Sequence, residues 1–163
     1  NRLIIIKRFL NTNLYYGYIK NFILTKKVMI KNLSKNGIKN DEAYLTKLAH
    51  KYDLAPKVFK CPNQKPNTLV TELLSPSNNW YMLFDYEKKF GKDKRININI
   101  CEGIKKLNKI GIEHNDLQEI NIMVNKTSKK VYFIDFEDSR LIKNYKESSN
   151  LRNSFYQKRC ENI

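Results

Sequence analysis

A chain of 163 residues, 41% hydrophobic and 29% charged, is long enough for one compact domain with its own core and too apolar to be disordered. No apolar run approaches the roughly 20 residues of a membrane span, and no signal peptide is read near the start, although residue 1 is Asn and a start upstream of it stays open. The formal net charge of +15 favours acidic protein segments or nucleic acid as partners, yet the lysines are scattered and no zinc finger, RNP signature or recognition helix stands out.

Residues 3–10, 14–20 and 26–33 read as three short strands separated by polar turns, the start of an antiparallel sheet. The second carries Gly17. The third contains Val28-Met29-Ile30-Lys31, and strand alternation puts Met29 and Lys31 on one face. Asn40 caps an expected helix over 41–52, with Leu45, Leu48, Ala49 and Tyr52 as its apolar stripe. Glu42 lies three residues before Leu45 and shares its face, so it is either a buried acid needing a partner, for which Lys31 is the candidate, or a solvated first-turn acid favoured by the helix dipole. His50 is taken as a structural or surface histidine, with no partner. Residues 54–59 and 68–74 give a fourth and a fifth strand.

Pro76 and the polar run Ser77-Asn78-Asn79 divide the chain, so 1–75 and 76–163 are expected to form two lobes of one domain. Residues 80–90 read as a short amphipathic helix. Asp93 caps a helix over 94–110 with Ile96, Ile100, Ile104 and Leu107 on one stripe and Gly111 as its C-terminal cap. The alternation from Ile96 to Ile100 would also suit a strand. Cys61, Cys101 and Cys160 are odd in number and far apart, with no zinc spacing and no disulfide framework, so the thiols are expected to be reduced and the protein intracellular. A further helix is placed near 147–160.

The stretch 111–135, GIEHNDLQEINIMVNKTSKKVYFID, carries the chemistry. His114, Asp116 and Asn121 read H-x-D-L-x-x-x-N, and Asp135 follows fourteen residues after Asn121, the spacing of a kinase catalytic loop and its metal-binding aspartate. Phosphoryl transfer needs an acceptor for the incoming hydroxyl proton, which is Asp116, and oxygen ligands for Mg²⁺, which are Asn121 and Asp135. Two strands, 120–124 and 131–135, flank a polar turn, and such a hairpin brings Asn121 and Asp135 to one end. Any one of these residues alone is more simply a surface polar group; four in register argue for a site.

On these motifs the chain resembles the protein-kinase-like superfamily over roughly residues 3–140, and in its brevity the compact atypical kinases of the RIO type or a reduced viral kinase. The resemblance implies an α+β, two-lobed fold with a five-stranded antiparallel sheet and one helix in the first lobe and a reduced helical second lobe. It implies ATP and Mg²⁺ as cofactors. Lys31 would hold the α/β-phosphates and pair with Glu42, and Gly17 would cover the phosphates. Backbone groups near Glu72 and Leu74 would meet the adenine edge, and His114 would pack beside Asp135. Departures are plain: residues 10–17 read LNTNLYYG with only the last glycine kept, Glu137 stands where the family has glycine, Asn115 replaces arginine, and Gln118 replaces lysine. The function expected is serine/threonine protein kinase, with a small-molecule kinase of the aminoglycoside or choline kinase type, or a catalytically inactive basic scaffold, as alternatives. The partner expected is a protein substrate, acidic or nucleic-acid-associated, recruited by the basic segment 143–159, with no membrane, and with the basic surface open to nucleic acid directly. The location expected is intracellular, either cytoplasmic or in a virion or host cell.

Overall fold

The computed structural model describes residues 4–7, 26–27, 42–59, 68–143 and 148–161. The fold is α+β. Strands β1 (Ile4–Lys7), β2 (Lys26–Lys27) and β3 (Thr68–Glu72) form an antiparallel sheet in the order β1-β3-β2, with Ile4 opposite Glu72 and Lys26 opposite Leu69. Residues 14–20 and most of 26–33, which hold Gly17 and Lys31, lie outside the described residues. The fourth strand expected at 54–59 is corrected: only Val58 bridges Thr71, on the edge of β3 away from β1. Pro56 has no N–H to give a ladder, which limits pairing there to one bridge.

Helix α1 (Glu42–Lys51) forms as its periodicity predicts and buries Leu45 and Ala49, but Tyr52 lies beyond its end and is exposed. His50 does have a partner: its Nδ1 lies 3.2 Å from the Ala55 carbonyl oxygen. The expected helix over 80–90 splits into strand β4 (Trp80–Met82) and helix α2 (Leu83–Phe90). Trp80 stacks on Tyr132 with ring centroids 4.7 Å apart, so a cross-strand aromatic contact overrides a helical start. Helix α3 (Lys94–Lys109) settles the ambiguity around Ile98 in favour of the helix. Asp93 accepts from the Arg95 and Ile96 amides at 2.9 and 3.3 Å, and Ile96, Ile100, Ile104 and Leu107 are buried on one face.

Strands β5 (Ile112–Glu113), β6 (Ile122–Asn125), β7 (Val131–Phe133) and β8 (Arg140–Leu141) and helix α4 (Ser154–Cys160) complete the described elements. A second sheet runs β4-β6-β7, and β5 pairs with β8. One core, from Leu45 in α1 through Leu83, Ile104 and Val124 to Phe136, lies between α1, α2, α3 and the β6–β7 hairpin. Gly111 joins α3 to β5 with φ +79°, and a Cβ there would come within 2.9 Å of the Ile142 carbonyl oxygen, so the turn requires glycine on both counts.

Inside α3 the absence of a side chain at Gly103 makes room for the ring of Phe133, whose Cε2 would be 2.7 Å from an added Cβ. Phe133 is fully buried, so it has nowhere to retreat. Gly103→Val is therefore expected to destabilise the fold by about 1–3 kcal/mol, overpacking winning over the gain in helix propensity; a urea midpoint equal to wild type would refute the contact.

Two of the cysteines are not the reduced thiols expected from their spacing. Cys101 and Cys160 form a disulfide across 59 residues of sequence, with Cα atoms 5.6 Å apart. Sequence spacing concealed it because α4 returns to lie along α3, and that return is a tertiary fact.

Candidate active site

Asp116 sits on the loop between β5 and β6, and both its carboxylate oxygens are held. Gln118 Nε2 donates to Oδ1 at 2.8 Å and Asn121 Nδ2 to Oδ2 at 2.6 Å, while Asn121 also reaches the Asp116 carbonyl at 2.9 Å. Each oxygen keeps a second lone pair. The carboxylate is thus oriented and still able to accept. Gln118, the departure from lysine, acts here as a positioning residue.

The loop owes its shape to contacts from behind. His114 is fully buried; its Nε2 donates to the Ile134 carbonyl at 3.0 Å and its ring lies 4.9 Å from that of Phe136. Burial holds its pKa below the ordinary histidine value, so it is a neutral spacer. Asn115 takes a left-handed turn at φ 62°, which asparagine tolerates better than arginine would, and donates to the Asp138 carbonyl at 2.9 Å. Glu113 is buried. Burial alone would raise its carboxyl, but the Ser149 amide and the Arg140 guanidinium reverse this and hold the pKa low. Asn150 accepts from the His114 amide at 2.9 Å and donates to Asn108 Oδ1 at 2.7 Å and to the Ile112 carbonyl at 3.2 Å, tying the C-terminal segment to the loop.

The β6–β7 hairpin places Asn121 and Asp135 at the same end, as expected. Ile122 faces Phe133, and the Ile134 amide donates to the Asn121 carbonyl at 3.0 Å. Asp135 itself takes the left-handed conformation, φ 63° and ψ 63°, at the start of a short 3₁₀ turn, Phe136–Asp138. Glu137 is in that turn and has no positive φ, so the glycine that the resemblance leads one to expect is not required by this backbone.

Helix α1 packs against the same turn. Glu42, in its first turn, is 3% exposed, so the solvated reading of this residue is overturned and the buried one stands. Its expected partner, Lys31, lies outside the described residues, as does Gly17.

One cavity reaches Asp135 and another reaches Asp116. The first, of about 230 Å³, is lined by Glu42, Glu72, Leu74, Met82, Met123 and Asp135 among others, and is largely apolar. The other, of about 560 Å³, has Asp116 on its wall, together with α4 and the N-terminal end of α3. Sequence reasoning missed most of that second wall. Arg159, read as part of a basic tail, is an internal group with 10% of its side chain exposed. It donates to Glu87 Oε2 at 3.1 Å, to Glu119 Oε1 at 3.4 Å and to Asn97 Oδ1 at 2.7 Å, and stacks over Phe155 at 5.0 Å. Burial works against its charge, but pairing with Glu87 and then Glu119 holds it protonated.

A loop that orients Asp116, a hairpin with Asn121 and Asp135 at one end and a cavity at each aspartate fit the protein-kinase-like superfamily. The family model for choline/ethanolamine kinases matches residues 6–145, and the chain belongs to that family. Comparison with curated proteins gives no match. Among the described residues no helix is long and apolar enough to cross a membrane.

Proposed function

We propose that the chain transfers the γ-phosphoryl group of ATP to the hydroxyl of a small molecule, with residues 1–75 and 76–163 as its two lobes. The observation that carries this reading is Asp116, oriented by Gln118 and Asn121 on the wall of one cavity while Asp135 lines the other. Family membership favours a small acceptor over protein serine or threonine.

On this reading the 230 Å³ cavity receives the adenine between Leu74, Met82 and Met123, with backbone groups near Glu72 and Leu74 at its edge. Lys31, paired with Glu42, and Gly17 belong to the phosphates. With Nδ2 committed to Asp116, Asn121 is left with its amide oxygen for a cation, and Asp135 supplies a carboxylate. Two protein oxygens suit Mg²⁺, which keeps its waters and takes phosphate oxygens for the rest. When bound, Mg²⁺ would neutralise phosphate charge. Asp116 orients the acceptor hydroxyl and takes its proton as the oxygen forms the new bond to phosphorus and the bond to ADP breaks.

The test is a melting curve with and without Mg²⁺ and ATP, followed by transfer of labelled phosphate to small alcohols and to protein side by side. Nucleotide at 100 times Kd is expected to stabilise the fold by about 2.7 kcal/mol, and label is expected in the small alcohols. No shift at millimolar nucleotide would sink the kinase reading. Label in protein alone would move it to protein kinase, and binding without any transfer would move it to an inactive scaffold.

A further inference from the structure

Helix α4 is one wall of the cavity beside Asp116, and packing alone seats it weakly. Ser154, Phe155, Lys158 and Arg159 line that cavity, and all four lie on α4. The helix is seven residues long and buries none of them fully; Phe155 and Tyr156 are partly buried against the core. An isolated helix shorter than roughly 12–15 residues is marginal in water, so α4 depends on what ties it to the rest of the chain.

Two ties meet at its last turn. Arg159 reaches Glu87, Asn97 and Glu119, with 10% of its side chain exposed against 17% for Glu87. Cys160, the next residue, is bonded to Cys101 on α3. The ionic tie is a poor anchor by itself. A buried ion pair returns little net stability, because both ions lose water on forming it and regain water on release. The covalent tie changes that balance, since it keeps Arg159 beside its partners at no further cost in chain entropy. The bond is also open to attack: Cys101 is buried but Cys160 is only partly so, and a thiolate from solvent meets Cys160 first.

Resting on the reading of this cavity as the acceptor site, we propose that the Cys101–Cys160 bond is a redox gate on it. Oxidised, the bond seats α4 and completes the wall. Reduced, it releases α4, and the acceptor side opens while the nucleotide side stands. The cavity lined by Leu74, Met123 and Asp135 takes none of its lining from α4. The reductant is a dithiol. Its thiolate bonds to the Cys160 sulfur as the bond to Cys101 breaks. Its second thiol then closes on the first sulfur and expels Cys160, so two electrons and two protons pass to the cysteines as the dithiol becomes a disulfide.

The experiment compares the oxidised chain, the same chain treated with dithiothreitol, and Cys160→Ser, each well below its melting midpoint. Amide hydrogen exchange over 154–160 is expected to speed up in the reduced chain and in Cys160→Ser, with exchange over 122–133 unchanged. KM for choline or ethanolamine, the alcohols in the family's name, is expected to rise by about tenfold or more, within the usual size of a coupling between sites, while Kd for ATP stays the same. Oxidised glutathione is expected to restore the reduced chain and to leave Cys160→Ser as it was. The gate is overturned if exchange over 154–160 is the same in both redox states or if KM is unmoved. It is overturned too if ATP affinity falls in step with KM, since that result is general unfolding. Should the oxidised chain phosphorylate neither alcohol, the acceptor reading fails, and exchange over 154–160 still decides whether reduction frees α4.

Discussion

Asp116→Asn is expected to lower phosphoryl transfer by about 10²–10⁴-fold, the usual worth of a general base, while leaving the melting shift with Mg²⁺ and ATP in place. Asp116 lines the cavity beside α4 and not the one lined by Leu74 and Met123, where the proposed function puts the nucleotide. The substitution does more than remove a proton acceptor. Each carboxylate oxygen receives an N–H, one from Gln118 and one from Asn121. An asparagine amide, in either orientation, sets an NH₂ against one of those donors, so it loses both basicity and one of the bonds that aims it. Gln118→Ala should show the loss of one aiming bond, a smaller fall in turnover than Asp116→Asn. If Asp116→Asn abolished nucleotide binding in equal measure, Asp116 would have to be assigned to the nucleotide or to folding.

Reduction of the Cys101–Cys160 disulfide, or Cys160→Ser, is expected to cost about 4 kcal/mol of stability on the chain-entropy account, since the bond closes a long loop between cysteines 59 positions apart in sequence. At this chain length each kcal/mol is worth about 2–4 °C, so the midpoint should fall by roughly ten degrees. Calorimetry with and without a dithiol measures it, and a non-reducing peptide map shows the linked pair. A midpoint unaffected by both reduction and Cys160→Ser would refute the bond.

What was legible in the sequence was legible because its causes are local. The stretch 111–136 carries its own turn chemistry at Gly111 and Asn115 and its own hairpin register, so Asp116, Asn121 and Asp135 could be placed from spacing alone. Helix α3 showed its cap and stripe within 16 residues. The failures are non-local. β4 is three residues long and is a strand only because β6 pairs with it. Arg159 finds Glu87 at a separation of 72 residues, Asn97 at 62 and Glu119 at 40, and nothing near it in sequence distinguishes it from the other basic residues of its segment. The same is true of the disulfide. Composition suggested a solvated basic arm in just the place where the chain buries a cation.

Asn150 gives the molecule an order of assembly. Its side chain bonds the His114 amide, Asn108 and the Ile112 carbonyl, and α4 beyond it supplies Phe155 and Arg159 to the cavity wall. Synthesis delivers the chain from its N-terminus, at about 5–20 residues each second. The ribosome therefore releases Asp116, Asn121 and Asp135 before the segment that braces their loop, Asp135 by about one to three seconds. A nascent chain that already holds every expected catalytic side chain still lacks the brace behind His114, and the wall of the cavity beside Asp116 lacks Phe155 and Arg159. Shortening the chain to Ile142, the direct way to ask whether its basic end recruits a partner, would recreate that unfinished state and could not separate lost recruitment from an unbraced site.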